Sequence, residues 1–363
     1  MVSKQFYTPT WFAQQQAQGI TVPRGQLLIA ACRSGSPLAS RTVAQYRALL
    51  EEENCKQKIL YLEDVDFQFS DSETCVRLNL HVNDCDVFLF QGLYDPVSDR
   101  SVDKNYMAFL IAARALREHG AHHVTGILPY LAYARQDKPT RFTREPTTVK
   151  LMADLSIRAG MDHLVTWHPH QRQIPGFYGG IPVDKVEALT FFTEVFKDFA
   201  DRDEVIVVAP DVGASKFVTY FGRELGLESA VASKYRRRPE EAIISEVIGD
   251  FRNKRTAIVL DDMISSGGTV YATVKRLVEN MNIQEVHVGV SHNLCMEQAY
   301  ERLTELHAQY NLKEVVVTNS IPQTECFRSL DFVTVHDISG ILARVINRIH
   351  YSRSVNELFT SAQ

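Results

Sequence analysis

Residues 257–278 read Ala-Ile-Val-Leu-Asp-Asp-Met-Ile-Ser-Ser-Gly-Gly-Thr-Val-Tyr-Ala-Thr-Val-Lys-Arg-Leu-Val. The apolar run Ala257 to Leu260 has the length of a buried parallel strand, and Val270, Val274, Leu277 and Val278 recur at helical spacing. The spacing predicts that Ser265 to Thr269 form a turn opening a helix, its first amides aimed at whatever the loop holds. Gly267 and Gly268 let the backbone approach an anion closely, and the hydroxyls of Ser265, Ser266 and Thr269 donate to it. The helix N-terminus adds partial positive charge, so the segment has the makeup of a phosphate site. Asp261 and Asp262, just before the loop, are placed to bind sugar hydroxyls. In a plain strand-to-helix turn the same residues serve geometry alone.

Outward from this segment, apolar strand candidates alternate with helical patterns: 26–31, 87–91, 124–128, 164–167, 205–209, 257–260, 286–291 and 315–318. That alternation predicts an α/β chain with mainly parallel sheets, covered by helices on both faces, in which ligands collect at strand C-terminal ends. At 363 residues with 45% hydrophobic content, the chain exceeds one ordinary core and suggests two domains. Residues 1–24 read as a flexible extension or an oligomer contact, 25–184 as the first domain and 185–337 as the second. The helical pattern in 338–363 is expected to pack back on the first domain. A net charge of -5 gives no basic footprint for nucleic acid. No apolar run approaches membrane-spanning length, and residues 1–24 lack the basic start and apolar centre of a signal peptide. The six cysteines are scattered without a Cys-x-x-Cys pair, which argues for a reduced, cytoplasmic protein rather than a zinc site or disulfide framework.

A second set of chemical residues lies elsewhere. Pro129 to Asp137 follows an apolar strand and contains Arg135, Gln136 and Asp137; Arg141, Arg144 and Glu145 come next. Guanidinium forks suit polyphosphate, although by composition alone an Arg-rich loop is a solvated surface. Trp167-His168-Pro169-His170 puts two histidines at i and i+2, which in an extended chain face the same side, for metal or phosphate or merely as a polar loop. Asp211 heads a loop after the strand 205–209, where a carboxylate holds a hard cation such as Mg²⁺ or caps a helix. Lys234-Tyr235-Arg236-Arg237-Arg238 is either a solvated charge run or a cation clamp for a polyphosphate transition state.

Taken together these motifs resemble the ribose-phosphate diphosphokinase family, the phosphoribosyl diphosphate (PRPP) synthetases, from about Gln26 to Phe359. The segment 261–269 is similar to the PRPP loop of type I phosphoribosyltransferase folds, Phe69-Ser70-Asp71-Ser72-Glu73 to the family's nucleotide-base motif, and Tyr133 to Asp137 to its ATP motif. Arg144-Glu145-Pro146 looks like the end of the catalytic flexible loop, and His170 to Phe177 matches the catalytic-histidine segment. Asp211 and the Lys234-x-Arg236 pair fall at the family's spacing, and Val317 to Gln323 with Asp337-Ile338-Ser339 extend the agreement.

The resemblance implies two phosphoribosyltransferase-like (type I) doubly wound domains and transfer of the β,γ-diphosphoryl group of Mg-ATP to the 1-hydroxyl of ribose 5-phosphate, forming PRPP and AMP. It assigns ribose 5-phosphate to Asp261, Asp262, Ser265, Ser266, Gly267, Gly268 and Thr269. ATP goes to Arg135, Gln136, Asp137 and the base motif Phe69, Asp71 and Glu73, the last from a neighbouring subunit of a homodimer that assembles to a hexamer. Lys234, Arg236 and His170 carry catalysis, with His170 and Asp211 on Mg²⁺. Two departures stand out. His168 occupies a position the family fills with an acid, which bears on metal coordination, and Ser265-Ser266 replaces a common Asp-Thr. The rival readings are a non-catalytic regulatory subunit resembling the family's associated proteins, suggested by His168, and a phosphoribosyltransferase that consumes PRPP, suggested by the loop alone.

Overall fold

A computed structural model of the chain describes residues 6–17, 24–140, 142–238 and 241–359, with side chains described throughout except at 234–238 and 241–245. The chain divides into two compact units, one of residues 1–186 with 337–363 and one of residues 187–336.

The first unit runs α1 (Pro9–Ala17), β1 (Gln26–Ala31), α2 (Ser36–Glu52), β2 (Leu60–Leu62), β3 (Asp66–Gln68), β4 (Thr74–Val76), β5 (Cys85–Phe90), α3 (Val102–Glu118), β6 (His123–Ile127), α4 (Thr148–Ala159), β7 (His163–Trp167), α5 (Ile174–Phe177) and β8 (Val183–Val186). Its main sheet has the order β2-β1-β5-β6-β7-β8, all pairs parallel, while β3 and β4 form a separate hairpin. The central strands are mostly apolar because both faces are covered: all six residues of β5 are buried, Asp86 among them. Helix α3 buries Tyr106, Phe109, Ala113 and Leu116 at three- and four-residue spacing, and Ser101 caps its start by accepting from the Lys104 amide at 3.2 Å.

The second unit runs α6 (Leu189–Val195), β9 (Val205–Ala209), α7 (Ser215–Glu224), β10 (Glu228–Arg238), β11 (Glu241–Ile248), β12 (Thr256–Ile264), α8 (Gly268–Met281), β13 (Glu285–Asn293), α9 (Glu297–Gln309), β14 (Leu312–Thr318), α10 (Glu325–Arg328) and β15 (Val333–His336). Its sheet has the order β11-β10-β9-β12-β13-β14-β15, parallel except for the antiparallel pair β10 and β11. With β11 set aside, both main sheets follow one order by rank in the chain, 2-1-3-4-5-6. In such a sheet the topological switch lies between the first and third strands, here β1 and β5 in one unit and β9 and β12 in the other.

Helix α11 (Ser339–His350) belongs to the first unit, where buried Asp86 on β5 accepts from His350 Nδ1 at 2.8 Å and from Arg24 Nε at 3.3 Å. The segment 6–17, expected as part of a flexible extension, is instead docked on this helix. Phe6 and Tyr7 are buried, the Tyr7 amide donates to Asn347 Oδ1 at 2.9 Å, and Asn347 Nδ2 donates to the Tyr7 carbonyl at 2.9 Å and to the Tyr46 hydroxyl at 3.0 Å. The Arg353 guanidinium lies 4.3 Å from the Trp11 ring centroid. Gln-rich composition gave the impression of a loose leader, but four aromatic residues among positions 6–12 supply the apolar contact that holds it.

Asn347→Ala leaves the Tyr7 amide and carbonyl without their side-chain partner in a buried site. We expect a loss of about 2 kcal/mol in urea unfolding and faster proteolysis within residues 6–17; unchanged stability and cleavage would show that the segment is not held by Asn347.

Candidate functional site

Strand β12 runs past its neighbour β9 and reaches Ile264, so Asp261 and Asp262 stand at its C-terminal end, beside the switch point of the second sheet. Beyond it the chain turns at Gly267, which has φ +76°, and α8 begins at Gly268 with Val270, Val274 and Leu277 buried. Glycine adopts that left-handed backbone without strain and lets the loop lie close against α9, where a Cβ on Gly267 would stand a tight 3.3 Å from Ala299 Cα. The loop therefore presents its backbone, and the sequence-predicted residues Ser265 to Thr269 are brought together at the start of α8. Ser265 Oγ lies 3.4 Å from Met296 Sδ, and the Ser266 carbonyl accepts from Arg302 Nη1 at 2.6 Å.

Three carboxylates collect at this strand end. The Asp262 amide donates to Asp261 Oδ1 at 2.9 Å, and Asp211, in the loop after β9, accepts from the Ala214 amide at 3.2 Å. Burial, then the charge of Asp262, then that of Asp211 push the Asp261 carboxyl well above the ordinary range. Crowded like charges are relieved by a bound cation or by sugar hydroxyls donating to them. Among the described residues no group of three or more His, Cys, Asp or Glu is gathered to hold a metal unaided. A hard cation of the Mg²⁺ type is commonly held by one or two carboxylates together with substrate phosphates, and this donor set fits that pattern.

In the first unit the predicted residues fall on loops after β6, after β7 and on the β3–β4 hairpin. Arg135 and Gln136 are exposed, whereas Asp137 is buried and accepts from Gln173 Nε2 at 2.8 Å and from Lys138 Nζ at 3.2 Å. Asp137 thus ties the loop after β6 to the segment that carries His170, a link the motif alone did not reveal. Gln173 was legible only as one letter of that segment.

The chain at His168 is not extended, so the same-side placement of His168 and His170 argued from an extended chain does not apply. At His168 the backbone is left-handed, with φ +38°, and the residue is buried at 8% exposure while His170 is exposed. The hairpin presents Phe69, Asp71 and Glu73 outward on its tip, closed by the Phe69 amide donating to the Glu73 carbonyl at 2.9 Å, with Phe69 51% exposed. Arg144 and Glu145 are exposed as well, and Glu145 Oε2 accepts from the Thr140 amide at 2.8 Å. Arg141 and the side chains of Lys234 and Arg236 lie outside the described residues; the backbone of 234–238 belongs to β10, not to a loop.

The switch point of the first sheet is closed. The Cys32 amide donates to the Phe90 carbonyl at 3.0 Å, and a Cβ on Gly35 would come within 2.5 Å of Phe90 O and one on Gly92 within 2.4 Å of Ser34 O. Asp66 accepts from the Arg33 amide at 2.6 Å and from Arg100 Nη1 at 2.5 Å, so these donors are taken up by a carboxylate of the chain itself.

Comparison with known proteins shows the family. Residues 29–160 match the family described as the N-terminal domain of ribose phosphate pyrophosphokinase, and residues 234–360 match the phosphoribosyl synthetase-associated domain. The ribose-phosphate pyrophosphokinase of Clostridium acetobutylicum is 36% identical over 293 residues, covering 80% of this chain and 88% of that protein. Ribose-phosphate pyrophosphokinase A of Dictyostelium discoideum is 31% identical over 296 residues, covering 82% and 89%. The crystal structure of phosphoribosylpyrophosphate synthetase from Mycobacterium smegmatis superposes with a TM-score of 0.74 at 30% identity, covering 90% of this chain and 99% of that one.

Because the folded state raises the Asp261 carboxyl above its unfolded value, ionising it costs stability; the cost grows as pH rises through the interval from the ordinary to the raised value and is complete above it. Asp261→Asn should therefore raise the unfolding midpoint at pH 7 by a few degrees and remove that pH dependence. A midpoint lowered or unchanged at pH 7 would show that Asp261 is not under strain from its neighbours.

Proposed function

This chain belongs to the ribose-phosphate pyrophosphokinase family, and from that premise we infer that it transfers the β,γ-diphosphoryl group of ATP to the 1-hydroxyl of ribose 5-phosphate, forming PRPP and AMP. The observation that carries the reading is the glycine loop of 265–269 beside the crowded carboxylates Asp211, Asp261 and Asp262 at the switch point of the second sheet. The loop amides and hydroxyls take the 5-phosphate, and Asp261 and Asp262 accept from the sugar hydroxyls. In the first unit Arg135 and Gln136 take the ATP phosphates, while buried Asp137 holds their loop in place through Gln173. Phe69, Asp71 and Glu73, exposed on their hairpin tip, serve the base of an ATP bound to a neighbouring subunit, within a homodimer that assembles to a hexamer.

Diphosphoryl transfer needs alignment and charge neutralisation more than covalent help. Mg²⁺, when bound, would neutralise phosphate oxygens; Asp211 in the second unit is the carboxylate we assign to it, and His170 in the first unit is assigned to metal and phosphates by the family resemblance. Lys234 and Arg236 stabilise the transferring group. Six unpaired cysteines suit a reducing cytoplasm, and no helix among the described residues is long and apolar enough to cross a membrane.

Incubated with Mg²⁺, ATP and ribose 5-phosphate, the chain should release AMP and form PRPP in equal amounts. Formation of ADP, or no turnover, would contradict the assignment. Lys234→Ala should lower kcat by about 10² with little change in KM for ribose 5-phosphate, as for loss of one transition-state donor. A near-normal kcat would return Lys234 to the solvated surface.

A further inference from the structure

The glycine loop has a freedom that its own residues do not remove. Gly267 tolerates either sign of φ, so the peptide joining Ser266 to Gly267 can turn over by rotation about the two single bonds that flank it. In one orientation the Gly267 N–H faces the phosphate; in the other the Ser266 carbonyl oxygen faces it and repels it. The described peptide bonds are all trans, and in a trans peptide the C=O and N–H point to opposite sides of one plane. Whatever fixes the Ser266 carbonyl therefore aims the Gly267 amide.

Arg302 fixes it. Its Nη1 donates to Ser266 O at 2.6 Å, a charge-assisted bond in a partly buried setting. Arg302 stands on α9, one turn beyond Ala299, the residue packed under Gly267; a Cβ on Gly267 would also lie 3.8 Å from Arg302 Cδ. The same face of α9 is tied to α8 by Glu305, which accepts from the Tyr271 hydroxyl at 2.7 Å. Helix α9 thus draws the Ser266 carbonyl toward itself, and the trans peptide turns the Gly267 N–H to the opposite side.

We propose that Arg302 is a positioning residue for the sugar-phosphate site: it touches no substrate, and by pinning the Ser266 carbonyl it keeps the Gly267 amide aimed at the phosphate. The inference rests on the reading that this loop seats ribose 5-phosphate.

The test is calorimetric titration of the full-length chain with ribose 5-phosphate, comparing Arg302→Met, which keeps the apolar stem, with Arg302→Lys, which keeps one charged donor. Arg302→Met should bind ribose 5-phosphate about tenfold more weakly, the loss of a bond to a charged donor. Its ATP affinity and thermal midpoint should stay near those of the parent chain, and Arg302→Lys should recover most of the lost affinity. Should Arg302→Met fail to fold, Arg302→Gln against Arg302→Lys carries the same comparison. The double variant Asp261→Asn with Asp262→Asn separates the two levels of inference. If it weakens ribose 5-phosphate while the Arg302 variants do not, Arg302 has no positioning role and the site stands. If neither moves the affinity, the loop is not the sugar-phosphate seat.

Discussion

In a sheet whose strands run in the order 2-1-3-4-5-6, the loops after the first and third strands leave for opposite faces, and a gap opens between them. The proposed sugar-phosphate seat depends on how each half treats that gap. In the first unit the two loops are drawn together, backbone on backbone, at Gly35 and Gly92, and Asp66 seals the end with Arg100 and the Arg33 amide. In the second unit β12 outruns β9, and three carboxylates are held where they repel one another, so the gap gains by taking up a polar ligand. One topology thus gives a packed end and a binding end. The difference lies in which side chains fill the space and not in the path of the strands.

Closing the first switch point displaces its chemistry sideways along the sheet. Arg135, Gln136 and Asp137 follow β6 and His170 follows β7, the fourth and fifth strands by rank, and Asp137 and Gln173 knit these two loops together, while Phe69, Asp71 and Glu73 stand on the separate hairpin of β3 and β4. A buried carboxylate used in this way is a mechanical element. It holds the loop of Arg135 and Gln136 against the segment of His170, and its burial separates it from the exposed residues beside it in the chain. The backbone turn at His168 does similar work: a left-handed residue at a strand end sets two neighbouring histidines in different environments.

The central strands and the phosphate loop were legible in the sequence, and the sheet edges were not. Gln26–Ala31 and Val205–Ala209 have the bounds that their apolar runs indicate, because central parallel strands are buried on both faces and are mostly apolar. By contrast β2, β8, β11 and β15 are edge strands, and β8 reads Val-Asp-Lys-Val with only its last residue buried. Strand β10 was read as a charge run because Lys234 and the three arginines mask its extended backbone, a case where pairing with β11 overrides composition. In the site, Ser265 to Thr269 could be found because their chemistry is local. Asp137 could not be assigned its buried role, nor Arg302 found at all, because each depends on a partner 36 residues away in the chain.

The most direct measurement of this account is a crystal structure of the chain with ribose 5-phosphate bound. The 5-phosphate is expected within hydrogen-bonding distance, about 3 Å, of the amides that open α8, with the sugar hydroxyls on Asp261 and Asp262. A sugar phosphate seated instead at the end of β1 and β5, with the glycine loop empty, would show that the wrong half of the molecule has been taken as its binding end.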